Sequence, residues 1–236
     1  MNKSAMRICV LGNSHVASLK KGWDLIKDRY ENIDLTFFAQ RQRGLIDLEI
    51  KDGMLFPSTI SLKNAISYTS GGCDHIDFSL YDSCLIYGLG LKPYKASPDQ
   101  FFSENVLSFA LKDHISKTVS LRTLLKIKKV SSITAYVGHQ PLLAAQEEND
   151  IGDLRLYLEG FELLKQFFNK EYGCDLVSQP SNTICGGFNT MQVFSSQSTR
   201  LDIGDGISGE EHPVNDVEHM NDLFGAKYLE EFFKLL

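Results

Sequence analysis

An apolar run, Ile8-Cys9-Val10-Leu11, stops at Gly12-Asn13-Ser14-His15, and apolar residues then recur at helical spacing through Val16, Leu19, Trp23, Ile26 and Tyr30. The order is buried strand, tight turn, amphipathic helix. It admits few folds, because a strand apolar on both faces must be covered on both, and the helix that follows packs back on the sheet. The unit repeats along the chain. Arg7 to Leu11 reads as the first strand, and Ile33 to Ala39, Ser83 to Tyr87, Ser132 to Val137 and Asp175 to Ser178 as four more. Helical stretches are expected from Phe101 to Leu125, in one or two pieces, over the stripe Leu154, Leu158, Phe161, Leu164 and Phe168, and from about Asp222 to Leu236. Strands separated by helices predict a three-layer α/β sandwich on a parallel sheet, with right-handed crossovers.

Two stretches leave this rhythm. The segment from Gly44 to Asp82 lacks helical periodicity and carries Lys51-Asp52-Gly53 between alternating runs, then Thr69-Ser70-Gly71-Gly72. It reads as a small antiparallel excursion with a hairpin and a second turn. The segment from Gln179 to Asn215 is rich in Ser, Thr, Asn and Gly, and a connection of that length is usually functional or disordered.

Length and charge bound the rest. The 236 residues suit one domain over 1–236. A net charge of −6 argues against a general nucleic-acid binder. Apolar runs stay short of a membrane span and the start lacks a signal-peptide pattern, so the expectation is a cytoplasmic protein with no membrane partner. Five cysteines, none in C-x-x-C spacing, read as buried thiols and not as a disulfide framework or zinc site.

Ser14 ends the first strand, at the sheet edge where open α/β folds place ligands. A helix N-terminus beside it favours a developing oxyanion. Two roles fit the hydroxyl: nucleophile, once a base takes its proton, or helix cap. Asp216-Val217-Glu218-His219 lies just before the terminal helix. On a helical turn, residues three apart share a face, so Asp216 can accept from His219 Nδ1 and leave Nε2 for Ser14. A capping aspartate and a surface histidine is the other reading of that tetrapeptide.

Gly12-Asn13-Ser14-His15 after the first strand and Asp216-x-x-His219 before the last helix resemble the SGNH hydrolase superfamily, the GDSL-type esterases. The resemblance implies a flavodoxin-like sheet of five parallel strands in the order 2-1-3-4-5. It implies Ser14 as nucleophile, His219 as general base, Asp216 as its orienter, and acyl-ester chemistry without a metal or organic cofactor. It also implies an oxyanion hole from the Ser14 N–H, a glycine N–H after the second strand and an asparagine after the third. Gly44 fits the glycine. Gly90 stands in the asparagine's place, within Gly88-Leu89-Gly90-Leu91, so the third donor falls to a backbone N–H near Gly90, to Gln140 or to Asn182. Asn13 replaces the family's usual aspartate.

Other side chains are weaker candidates. His15 adjoins the nucleophile; His139 and Gln140 follow the fourth strand; Asn182 begins the long loop, in Gln179-Pro180-Ser181-Asn182-Thr183, whose amides and hydroxyls suit sugar hydroxyls. His212 reads as a solvated loop residue, and Arg122, Lys126 and Lys128 as a solvated helix face. No set has metal-ligand spacing. The expected function is hydrolysis of short acyl esters on a small molecule or carbohydrate, with a carbohydrate O-acetyl group as the preferred case. A sugar acyltransferase and a non-catalytic carbohydrate-binding relative lacking the oxyanion asparagine are the alternatives. Oligomeric state is not legible.

Overall fold

Five parallel strands form the central sheet of the computed structural model, which describes residues 5–42, 44–95, 102–146, 152–207 and 209–236. They are β1 (Met6–Gly12), β2 (Ile33–Ala39), β3 (Ser83–Tyr87), β4 (Thr134–Gly138) and β5 (Asp175–Val177). Their order across the sheet is 2-1-3-4-5, as the resemblance implied. β1 therefore lies inside the sheet, with Cys9 opposite Thr36 on one side and Cys84 on the other.

Alternation along β1 divides the core in two. Ile8 and Val10 face one layer with α1 (Val16–Ile26) and α6 (Asp222–Phe233). Cys9 and Leu11 face the other, with α2 (Ile60–Ser70), α3 (Glu104–Ser116), α4 (Val119–Val130) and α5 (Arg155–Tyr172). α1 and α6 cross at Gly22 and Gly225. A Cβ at Gly225 would stand 1.8 Å from the Ser18 carbonyl oxygen, and one at Gly22 would stand 2.2 Å from the Ala226 nitrogen. Only hydrogen at both positions lets the helices touch backbone to backbone.

Several expectations need correction. The segment after β2 does contain the hairpin, Leu48–Lys51 against Met54–Pro57, turning at Asp52-Gly53, but a helix, α2, follows it. Thr59 caps α2 by accepting from the Leu62 N–H at 3.2 Å. Thr69 and Ser70 belong to its last turn, ended by Gly71 at φ +78. The helical region before β4 is two helices, because Thr118 starts α4 with its own side-chain cap; Phe101 lies outside the described residues. β4 starts at Thr134, two residues later than expected. Among its described residues, the long stretch after β5 holds one two-residue ladder, Ile184–Cys185 with Asn189–Thr190, and is otherwise loop, short turns and isolated bridges. All five cysteines are free. No helix among the described residues is long and apolar enough to cross a membrane.

Candidate active site

Three local devices bring Ser14 and His219 together. β1 delivers Ser14 to the sheet's carboxyl edge, and the turn that follows is closed by Val16 N–H to Asn13 O and Ala17 N–H to Ser14 O at 3.0 and 3.1 Å. The cap position of α1 falls on His15, with no side-chain cap, so the Ser14 hydroxyl is not spent on the helix. At the other end, Asn221 caps α6 through Phe224 N–H at 3.1 Å and donates to the Val193 and Ser196 carbonyls at 2.8 and 3.0 Å. The docking of α6 on α1 then sets the two helix entrances side by side.

His219 Nε2 lies 3.0 Å from Ser14 Oγ. His219 Nδ1 lies 3.0 and 3.2 Å from the two Asp216 oxygens. The Asp216-to-His219 segment is not a helical turn. Asp216 Oδ1 accepts from the backbone N–H groups of Glu218 and His219 at 2.8 and 2.9 Å, an Asx-type turn that folds the imidazole over its own carboxylate. Burial pushes the Asp216 carboxyl up, but the backbone and ring hydrogen bonds of His219, with that of Glu218, outweigh it and hold the group below its ordinary value. With Asp216 ionised, Nδ1 carries the proton and Nε2 is left to accept from Ser14.

Two further histidines flank His219. His212 stacks on it with centroids 3.8 Å apart and planes 8° apart, and its Nδ1 reaches Asp216 Oδ2 at 3.3 Å. His15 also packs against it, with centroids 5.1 Å apart and planes 27° apart. Burial, reinforced by His219, lowers His15 to about 3 and His212 to about 4. Both rings are therefore neutral near pH 7. The solvated loop histidine expected at position 212 is instead a ring packed on the candidate base. Its signal was absent from the sequence, because a bridge between Thr199 and Glu211 and a bond from His212 N–H to the Ser198 carbonyl at 2.8 Å set its place.

The remaining candidates divide. His15 and Gln140 line the cavity at Ser14, which has a volume of about 780 Å³, and the Gln140 amide lies 3.0 Å from His15 Nε2. Gly90 lines it too, at φ +81. Gly88 and Leu89 share that left-handed conformation, at φ +73 and +47. Ser120 holds their carbonyls, by Oγ–H to Gly88 O at 2.8 Å and N–H to Leu89 O at 3.0 Å. The Ser14, Leu89 and Gly90 N–H groups find no acceptor among the described residues.

Gly44, Asn182 and His139 do not join this group. Gly44 lines the neighbouring cavity, and its N–H goes to the Arg41 carbonyl at 3.3 Å; Arg41 and Gln42 reach the Ser14 cavity from that segment instead. Asn182 is exposed and lies outside that cavity's lining. His139 is 1% exposed and bonds the Tyr157 hydroxyl at 2.9 Å, a core position far from the substrate contact expected of it. Gln179 is likewise buried, bracing the Leu142 N–H and the hydroxyls of Thr183 and Thr190. Lys126 turns inward to the Ile46 and Leu48 carbonyls.

His212, Asp216 and His219 also place possible metal-ligand atoms within 4.8 Å of one another. Their geometry suits hydrogen bonding better. Parallel stacked imidazoles present their lone pairs side by side, whereas a tetrahedral ion needs them to converge.

Two solved structures are similar in part. One is the periplasmic domain of a lipopolysaccharide acetyltransferase from Salmonella ser. Paratyphi A, at 12% identity and TM-score 0.48, covering 98% of this chain and 84% of that one. The other is a gut microbial diltiazem-metabolizing enzyme, at 10% identity and TM-score 0.36, covering 78% of this chain and 39% of that one. No family model matches the chain. No curated protein matches it.

Proposed function

We propose that this chain is a serine ester hydrolase of the SGNH type, acting on short acyl esters of a polyhydroxylated alcohol such as a carbohydrate. The observation that carries the reading is the continuous hydrogen-bonded line Ser14 Oγ, His219 Nε2, His219 Nδ1, Asp216, spanning 205 residues of sequence at its first link. A hydroxyl within 3.0 Å of an imidazole nitrogen, the ring itself fixed by a carboxylate, is the arrangement that activates serine.

In this reading Ser14 Oγ attacks the acyl carbonyl as its proton passes to His219 Nε2. The same proton then leaves with the alcohol. Water repeats the sequence in reverse and frees Ser14. The negative charge on the tetrahedral intermediate is met by the Ser14 N–H and by the Leu89 and Gly90 N–H groups, which take over from the missing asparagine. Leu89 in the left-handed region costs on the order of 1 kcal/mol, the kind of strain that clusters at functional sites. No metal or organic cofactor enters these steps, and the proposed compartment is the cytoplasm.

A serine-directed fluorophosphonate tests this directly. The expected result is one adduct, on Ser14 by mass spectrometry, lost in Ser14→Ala together with hydrolysis of p-nitrophenyl esters. A native protein that forms no adduct under conditions that label a control esterase refutes the reading and favours the carbohydrate-binding alternative. Acyl transfer to a sugar is a second reading, favoured by the 780 Å³ cavity, which has room for an acceptor larger than water. Acylated sugar among the products, at the expense of free acid, would identify it.

A further inference from the structure

Among the described residues, the lysine and arginine side chains that line the Ser14 cavity are Arg41, Lys117 and Arg200. Two of them are committed elsewhere. Arg41 donates from Nε and Nη2 to the Leu201 carbonyl at 2.9 and 2.6 Å, and from Nη1 to Asp205 at 2.6 Å. Lys117 stands in open solvent beside Asp113, at 3.8 Å. The carboxylates of the lining, Asp113 and Glu218, are exposed as well.

Arg200 differs from both. Its backbone is held on either side: Thr199 bridges Glu211, the Arg200 N–H goes to the Glu210 carbonyl at 2.8 Å, and the buried Leu201 carries the carbonyl that grips Arg41. The guanidinium makes no hydrogen bond to a described residue, and its Nε is buried without a partner. Glu210 Oε2 stands 3.5 Å from that Nε, in a pair whose side chains are 41 and 60% exposed. An ion pair so loose and so wet contributes little. The two terminal nitrogens, the planar fork that matches a carboxylate or phosphate, are left over.

The fork lies on the side of the leaving group. The departing alcohol takes its proton from His219 Nε2, so it rests beside His219. His212 stacks on His219, and the bridge that fixes Arg200 also fixes His212. Burial and His219 are the main causes that lower His212, and Arg200 and Arg41 add to them, so both guanidinium groups are within electrostatic reach of that ring. Resting on the hydrolase reading above, we propose that Arg200 binds an anionic group, carboxylate or phosphate, on the alcohol portion of the ester. The substrate is then an acylated acidic sugar or a comparable anionic polyol, not a neutral one.

The test compares acetate release from O-acetylated glucose, glucuronic acid and glucose 6-phosphate. Closure of the fork on an anion should raise kcat/KM for at least one of the charged esters over the neutral one by a factor on the order of 10–10², mainly through KM. The carboxylate and phosphate arms identify which group the site takes. Arg200→Gln should bring the charged-to-neutral ratio towards one. Arg200→Lys should keep part of it, because the charge remains and the fork is lost. Glu210→Gln, which removes the competing carboxylate, should raise the ratio. In the native protein, raising NaCl from ~0.05 to ~0.5 M should lower it. Equal efficiency on all three esters, in protein that labels at Ser14, overturns the anion assignment alone, as does a ratio unmoved by Arg200→Gln. Should that variant fail to fold, a ratio indifferent to both Glu210→Gln and salt overturns it instead. No cleavage of any ester, with no adduct at Ser14, overturns the hydrolase reading and this assignment with it.

Discussion

Acidification should destabilise this protein well above the range in which carboxylates titrate. His15 and His139 are both buried, and burial lowers them from 6.5 to about 3 and about 4. The unfolded chain binds a proton at each near pH 6.5; the folded chain refuses it until pH 3 to 4. A depressed folded value means that the stability is fully present above about pH 6.5 and is lost as pH falls towards the folded value. At pH 4.5 each unfolded imidazole has gained about 2.7 kcal/mol from protonation, while the folded ones have gained almost nothing, so the two together remove about 5 kcal/mol. That is a large part of an ordinary domain's stability, and for a chain of this length corresponds to a fall in Tm of roughly 10–20 °C. Asp216, held below its ordinary value, begins to lose its contribution only below this window. Thermal melts followed by circular dichroism at pH 7, 5.5 and 4.5 measure the effect. His139→Gln, which keeps polar atoms for the Tyr157 hydroxyl but cannot protonate, should reduce the slope and leave the part owed to His15 and His212. A Tm that stays level from pH 7 to 4.5 refutes the reasoning, because it requires both imidazoles to accept protons in the folded state.

Other expectations concern the site. Asp216→Asn keeps an acceptor for the Glu218 and His219 N–H groups but removes the charge that fixes the His219 tautomer; ester hydrolysis should fall by on the order of 10³–10⁴ with little change in Tm. His212→Phe retains a ring against His219 and loses the bond to Asp216, so kcat/KM should drop about tenfold, and His212→Gln should recover part of it. Gly225→Ala forces α6 off α1, costing about 1–3 kcal/mol by chemical denaturation and slowing phosphonate labelling of Ser14.

What the sequence revealed follows from how local each signal is. Strands β1 to β3 are apolar runs bounded by polar turns, and their extents could be read within a residue. Helix α2 escaped notice although its buried residues, Leu62, Ala65, Ile66 and Thr69, sit at helical spacing. Two of the four are Ala and Thr, so the apolar stripe carries little weight against the surrounding serines. Ser14 and His219 were legible because each sits in a short motif at an element boundary. Asp216 was legible by spacing, although an Asx-type turn, not a helix, supplies the shared face. Gly44 donates to Arg41 in a local turn, whereas His212 and His139 were misplaced because tertiary partners decide their surroundings: Ser198 for the first and Tyr157 for the second. No window of neighbouring residues contains the contacts of those two histidines.

The bare crossing of α1 over α6 gives the Ser14 hydroxyl a dependence on distant events. The distance between Ser14 and His219 is set by a seam in which two backbones meet without intervening side chains, so fraying of α6 would part the pair while the sheet remains whole. Covalent labelling of that one oxygen should therefore serve as an early reporter of loosening, fading before ellipticity changes.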